Sequence, residues 1–271
     1  MEHLKPIFER VYMNQVATEN ALPSTAVKYD DEKDLSSDVT LAAAGGVISK
    51  TKRRSLDKTI YEFLSMQVWH NLLNLYSYVN HLDFQAPKPL GISEDNGTHT
   101  LHMSYVPGHR IKGLNAFKRN TSVRIQGLEN PLSLYSACAL HLGALNRIKE
   151  QEEIKHGDYD GRHVLFNPLE RVFMGVIDVE NSYISPDSSV LNKESGKIAT
   201  EFMKYVPGRE EYRDTVEASY KTGRDLVILP EGRPQLMRII NELNEEFGVD
   251  FDMLNRKING VHVNITYRTT K

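Results

Sequence analysis

Apolar positions change their period several times along this chain, and each change marks a structural element. Leu4, Ile7, Phe8 and Val11 make a short amphipathic opening, and the acidic, polar stretch from Asp30 to Asp38 reads as an exposed loop. Val39 to Lys52 is rich in small and β-branched residues and is broken by Gly45-Gly46, which predicts a strand pair or a strand entered through a bulge. After the basic cluster Lys50 to Arg54, Ser55 is placed to cap a helix whose Ile60, Phe63, Leu64, Leu72, Leu73 and Leu75 share a face. Pro87 and Pro89 are expected to stop that helix. Gly91-Ile92 then reads as a strand, Asp95-Asn96-Gly97 as a tight turn, and Leu101 to Val106 as the returning strand.

Pro107-Gly108 marks a connection to the second half. Pro131 sits where a first-turn proline belongs, and Leu132 to Lys149 contains no breaker, so a helix is predicted there. It leads into a polar loop, Ile154-Lys155-His156-Gly157-Asp158. Val164-Leu165-Phe166, a turn at Asn167-Pro168 and a strand from Val172 to Val179 then predict a hairpin. Lys197 to Tyr205 and Pro234 to Phe247 read as helices, the second stopped by Gly248, and Val261 to Tyr267 alternates as a late strand would.

Composition narrows the class of protein. A chain of 271 residues with 40% apolar content has material for two modest cores, and a net charge of -3 gives no global field for nucleic acid or an anionic membrane. The cluster Lys50, Lys52, Arg53, Arg54 is the one local exception, and such a run at a strand–helix junction ordinarily faces water. The single cysteine, Cys138, lies in an apolar helical stretch, which excludes an intrachain disulfide and thiolate clusters and predicts a buried thiol. No run of eighteen apolar residues occurs, so a cytoplasmic protein without a membrane span is expected.

The chemistry concentrates in His156-Gly157-Asp158-Tyr159-Asp160-Gly161-Arg162-His163 and in Ile177-Asp178-Val179-Glu180. If Val164 to Phe166 pairs with the strand before Asp178, the hairpin makes Asp158 and Asp178 neighbours around one metal–phosphate site. Phosphoryl transfer needs a carboxylate beside the acceptor hydroxyl, oxygen ligands for Mg²⁺ and a cation on the phosphates. Asp158 and Asp178 meet the first two needs. Lys50, on the candidate strand Val47-Ile48-Ser49-Lys50, would supply the cation with Glu62 orienting it; Lys52 competes for the role.

His156-Gly157-Asp158 and Ile177-Asp178-Val179-Glu180 resemble the catalytic loop and metal motif of the protein kinase-like superfamily. The wording is closest to the aminoglycoside phosphotransferase-like branch and to atypical archaeal-type and lipopolysaccharide kinases. The resemblance runs from about Val39 to Glu180. It implies a two-lobed α+β fold, with a small β-rich N-lobe (1–106) and a mainly helical C-lobe (107–271). It further implies Asp158 as catalytic base, His156 as support for its loop, and Asp178 as principal metal ligand with Glu180 secondary. Met103, Tyr105 and Val106 would line an adenine slot, although an apolar core strand has the same composition. ATP with Mg²⁺ would be the cofactor, and a small molecule or protein the acceptor.

Two departures stand out. The family places asparagine where this chain has His163, which favours a hydrogen bond to Asp178 or phosphate, a softer metal such as Mn²⁺, or nucleotide binding without turnover. Ala42-Ala43-Ala44-Gly45-Gly46 also lacks the spaced glycines of a phosphate-covering loop. A binding module of pseudokinase type is therefore one alternative. Another is a metal-dependent hydrolase in which His156, Asp158, His163 and Asp178 converge on a transition metal. Asp160 and Arg162 are expected to face solvent or substrate.

Overall fold

The computed structural model describes residues 39–44, 46–52, 56–111, 114, 130–168, 172–208, 210–228 and 235–251. The amphipathic opening, the acidic loop, the Ser55 cap and the late strand at 261–267 lie outside the described residues, as does the side chain of Lys52.

Strands β1 (Val39–Ala44) and β2 (Val47–Lys52) pair antiparallel around Gly46, giving the strand pair rather than the bulge. Helix α1 (Leu56–Asn80) follows, and then β3 (Asp83–Gln85), β4 (Pro89–Asp95) and β5 (Thr98–Ser104). The first sheet is ordered β1-β2-β5-β4, with β4 and β5 joined at Asn96-Gly97. Alternation along β2 puts Ile48 and Lys50 on its buried face, towards α1.

Helix α1 is enclosed on every side from Thr59 to Met66; farther on Trp69, Leu72, Leu73 and Tyr76 have no exposed surface, while Asn74 and Tyr78 face solvent. A helix enclosed all round runs through a core, and each buried Leu or Ile contributes about 1.5–3 kcal/mol. It stops at Asn80, before Pro87, because His81 turns left-handed at φ 54° and the chain enters β3. The prolines sit beyond that strand, so the expected stop was placed too late.

The second half opens with β6 (His109–Arg110) and α2 (Pro131–Gln151). Asn130 caps α2 by accepting the Leu132 N–H at 2.8 Å, and Pro131 takes the first turn, where no N–H donor is needed. Strand β7 (Ile154–Lys155), the hairpin β8 (Val164–Asn167) and β9 (Phe173–Val176), and β10 (Tyr183–Ile184) come next. Helices α3 (Ser188–Met203), α4 (Glu210–Leu226) and α5 (Gln235–Phe247) close the described chain. The second sheet is ordered β3-β9-β8-β6, β3 running parallel to β9, so the strand after α1 is bonded into the sheet that carries the hairpin.

One expectation is corrected here, and one element was not foreseen. Strand β9 ends at Val176, short of Val179, because Asp178 is left-handed and Val179–Asn181 forms a 3₁₀ turn. Helix α4 was not anticipated; its buried positions are Val216 and Gly223, and Tyr212 and Tyr220 on the same face pack against the core. Cys138 is buried, and burial pushes its thiol pKa up.

Candidate active site

Lys50 leaves the buried face of β2 with 8% of its side chain exposed, in place of the solvated role a basic cluster suggests. Its ammonium donates to Glu62 Oε1 of α1 at 2.7 Å, to Asp178 Oδ1 at 2.5 Å and to Glu180 Oε2 at 3.2 Å. Glu62 is 1% exposed, and an isolated carboxylate at that depth would be costly without such a cation. The three acids come from α1 and the 3₁₀ turn, and their oxygens lie within 4.8 Å of one another.

Asp178 reaches this point because the chain bends sharply after β9. Ile177 N–H donates to the His163 carbonyl at 2.9 Å, which ends the ladder, and Asp178 itself sits at φ 59° and ψ 50°. A left-handed non-glycine residue costs about 1–3 kcal/mol unless its surroundings hold it, and aspartate tolerates the region better than most. Here the turn is held from α1: Tyr61 Oη donates to the Ser182 carbonyl, and Trp69 Nε1 to Ser182 Oγ at 2.9 Å.

His156 joins the two acid-bearing segments. Its Nδ1 accepts the Asp158 N–H at 3.3 Å, which leaves the proton on Nε2, and Nε2 donates to the Ile177 carbonyl at 2.9 Å. Burial, aided by the nearby Lys149 ammonium, lowers its pKa to about 4, so the ring is neutral. Both ring nitrogens are committed. His156 therefore cannot join the metal set that the hydrolase alternative requires.

Gly157 sits between His156 and Asp158 at φ 87°, and a Cβ there would lie 2.2 Å from the Asn181 carbonyl oxygen. Only glycine lets the loop pass this close to the 3₁₀ turn. Beyond it, the Asp158 side chain is 44% exposed and open to a reactant. His163 Nδ1 donates to the Asp158 carbonyl at 2.7 Å, and its Nε2 lies 3.6 Å from Asp178 Oδ2.

Asp160 is buried, against the expectation that it faces outwards. Arg162 takes hold of it through Nη2 at 2.6 Å, Nε at 3.0 Å and its own N–H at 2.8 Å. Burial alone would raise the Asp160 pKa, but the Arg162 bonds outweigh it and hold the carboxyl below its usual range.

On the apolar side, Met103 of β5 pairs with Ile48 and belongs to the main core, while the Tyr105 N–H donates to the Gly46 carbonyl at 2.8 Å. Val106 instead packs with Leu165, Phe173 and the half-buried Ile177 in a small cluster of its own. Leu165 and Phe173 were not picked out from the sequence, since β8 and β9 are buried on both faces and carry no alternating signal. Glu194 of α3 was missed as well; it accepts the N–H groups of His156 at 3.2 Å and Gly157 at 2.9 Å.

An antiparallel sheet with a helix inserted after its second strand faces a mainly helical half across Lys50, Glu62 and Asp178. The fold is two-lobed and kinase-like. No family model matches the chain, and no curated protein matches it. Among solved structures it is similar to the bifunctional kinase-methyltransferase WbdD, with 13% identity, 76% of this chain covered and a TM-score of 0.40. It is also similar to the BubR1 kinase domain, with 11% identity, 96% of this chain and 97% of that one covered, and a TM-score of 0.49. The chain spans 47% of the length of the first.

Proposed function

We propose that this protein is an ATP-dependent phosphotransferase that moves the terminal phosphoryl group to a hydroxyl of a small molecule or a protein. The observation that carries the reading is the Lys50 ammonium, held by Glu62 from one side and Asp178 from the other. A buried lysine oriented in this way supports a phosphate-anchoring role, and its carboxylate partners would hold a divalent ion that offsets phosphate charge.

The donor set fits a hard divalent ion. Asp178 and Glu180 offer carboxylate oxygens and His163 offers Nε2, a set suited to Mg²⁺ and, through the nitrogen, to Mn²⁺. When bound, the ion neutralises charge on the phosphates. The chain's own residues do the rest. Lys50 binds the phosphates, Asp158 orients the acceptor hydroxyl and takes its proton, and His156 keeps the Asp158 loop in register with the turn that bears Asp178. Val106 and Leu165 offer the apolar surface for the base, between an N-lobe of residues 1–106 and a C-lobe of 107–271.

A second reading, nucleotide binding without turnover, is favoured by the 2.5 Å bond that engages Asp178 with Lys50 and by histidine at position 163. The two separate in one experiment. ATP with Mg²⁺ or Mn²⁺ at about a hundred times Kd should stabilise the fold by about 2.7 kcal/mol under both readings. Turnover that disappears in Asp158→Asn supports the transferase, and binding with no product supports the second reading.

Among the described residues no helix is long and apolar enough to cross a bilayer.

A further inference from the structure

Beneath the Asp158 loop lies a buried cation that the reaction as proposed does not use. Lys149, in the last turn of α2, is fully buried, with Nζ 2.5 Å from Glu194 Oε2 and 3.4 Å from the centroid of the Tyr159 ring. Glu194 in turn receives two consecutive backbone N–H groups, His156 on Oε2 and Gly157 on Oε1. Asp158 is thus flanked by two attachments, one at residues 156–157 and one at Tyr159, and both lead back to the same ammonium.

A buried ion pair is a poor source of stability, since its desolvation cancels most of its attraction, and apolar residues of like volume serve at least as well. What the pair does supply is a carboxylate held ionised at depth. Burial would raise the Glu194 pKa, but Lys149 outweighs it and keeps it low. An ionised acceptor makes its two N–H bonds shorter and stronger than a neutral one would. The charged or titratable groups acting on Lys149 besides Glu194 are Glu150 and Lys155, with His156 and Tyr159 packed against the pair.

We propose that Lys149 is a positioning residue for phosphoryl transfer, acting through Glu194 and the Tyr159 ring on the loop that presents Asp158. Its kinetic consequence rests on the phosphotransferase reading; its structural consequence does not.

The test uses the full chain, Lys149→Met, and the neutral pair Lys149→Met/Glu194→Gln, which keeps the site free of an uncompensated charge should the single variant fail to fold. Metal–ATP affinity is expected to stay within about twofold while the rate of transfer or ATP hydrolysis falls at least about tenfold, a split that a merely structural role would not produce. Amide hydrogen exchange at His156 and Gly157 is expected to accelerate at least about tenfold relative to β5 amides. Unchanged protection of those two amides in a folded variant overturns the proposal, as does a parallel loss of affinity and rate. If the unaltered chain turns over no nucleotide, the phosphotransferase reading fails by itself and amide exchange alone decides the positioning claim.

Discussion

The Lys50 ammonium lies 2.5 Å from Asp178 Oδ1, although 128 positions separate the two residues along the chain. Sheet and hairpin have to be built around α1 before that distance can exist, so the contact reports on the whole arrangement.

Lys50→Met removes the cation from three carboxylates at once. With Glu62 almost fully enclosed, the loss should destabilise the fold by about 3–5 kcal/mol. Urea unfolding measures this, and nucleotide titration of the same variant should show affinity reduced at least about tenfold, since phosphate loses its charged partner. A Lys50→Met protein as stable as the unaltered chain would place the side chain in solvent instead.

His156 gives a pH signature. Its folded pKa of about 4 lies below the ordinary value near 6.5, so the unfolded chain binds the extra proton first. The stability tied to neutral His156 is complete above pH 6.5, declines below it and is gone once pH falls through 4. The difference is about 3 kcal/mol. Denaturation curves between pH 4 and 7 should therefore slope less steeply in His156→Gln, even though that variant is less stable at pH 7.

His163→Asn tests metal choice. With Nδ1 donating to the Asp158 carbonyl, Nε2 is the atom offered next to Asp178, and a nitrogen ligand favours Mn²⁺ over Mg²⁺. The unaltered chain should bind ATP more tightly with Mn²⁺, and the asparagine variant should shift the ratio towards Mg²⁺ by at least about fivefold, near 1 kcal/mol. An unchanged ratio would mean that His163 holds the loop and no ion.

Gly223→Ala probes the helix that sequence patterning did not reveal. A Cβ at Gly223 would stand 1.9 Å from the Leu140 carbonyl oxygen, and one at Gly143 2.0 Å from that of Tyr220, so α2 and α4 meet backbone to backbone. Neither contact is with a flexible side chain. Overpacking of this kind costs about 1–3 kcal/mol, measurable as a lowered Tm, and the rigid backbone puts Gly223→Ala at the upper end.

That helix also shows where sequence reading reaches its limit. Its apolar face is only Tyr212, Val216 and Tyr220 amid charged residues, and the rest of its burial runs through two glycine contacts, Asn146 bonding Tyr220 Oη at 2.8 Å and Arg224 gripping Glu150 at 2.6 Å, which leave no apolar signal. By contrast α2 was legible because Pro131 is a start signal and no breaker follows it as far as Lys149. The β4–β5 turn was legible because Asn96-Gly97 has few other uses. The acids at 158 and 178 were singled out from their motifs. The anchor of the Asp158 loop at Glu194 was not, because a carboxylate that serves backbone N–H groups leaves no pattern in its neighbours.

Asp178→Asn, titrated with ATP in the presence and absence of Mg²⁺ or Mn²⁺ beside Asp158→Asn, is the most direct test of a shared metal–nucleotide site. The unaltered chain and Asp158→Asn should bind ATP in a metal-dependent way, while Asp178→Asn should lose that dependence. Equal metal-dependent binding by Asp178→Asn, or none by the unaltered chain, would contradict the account.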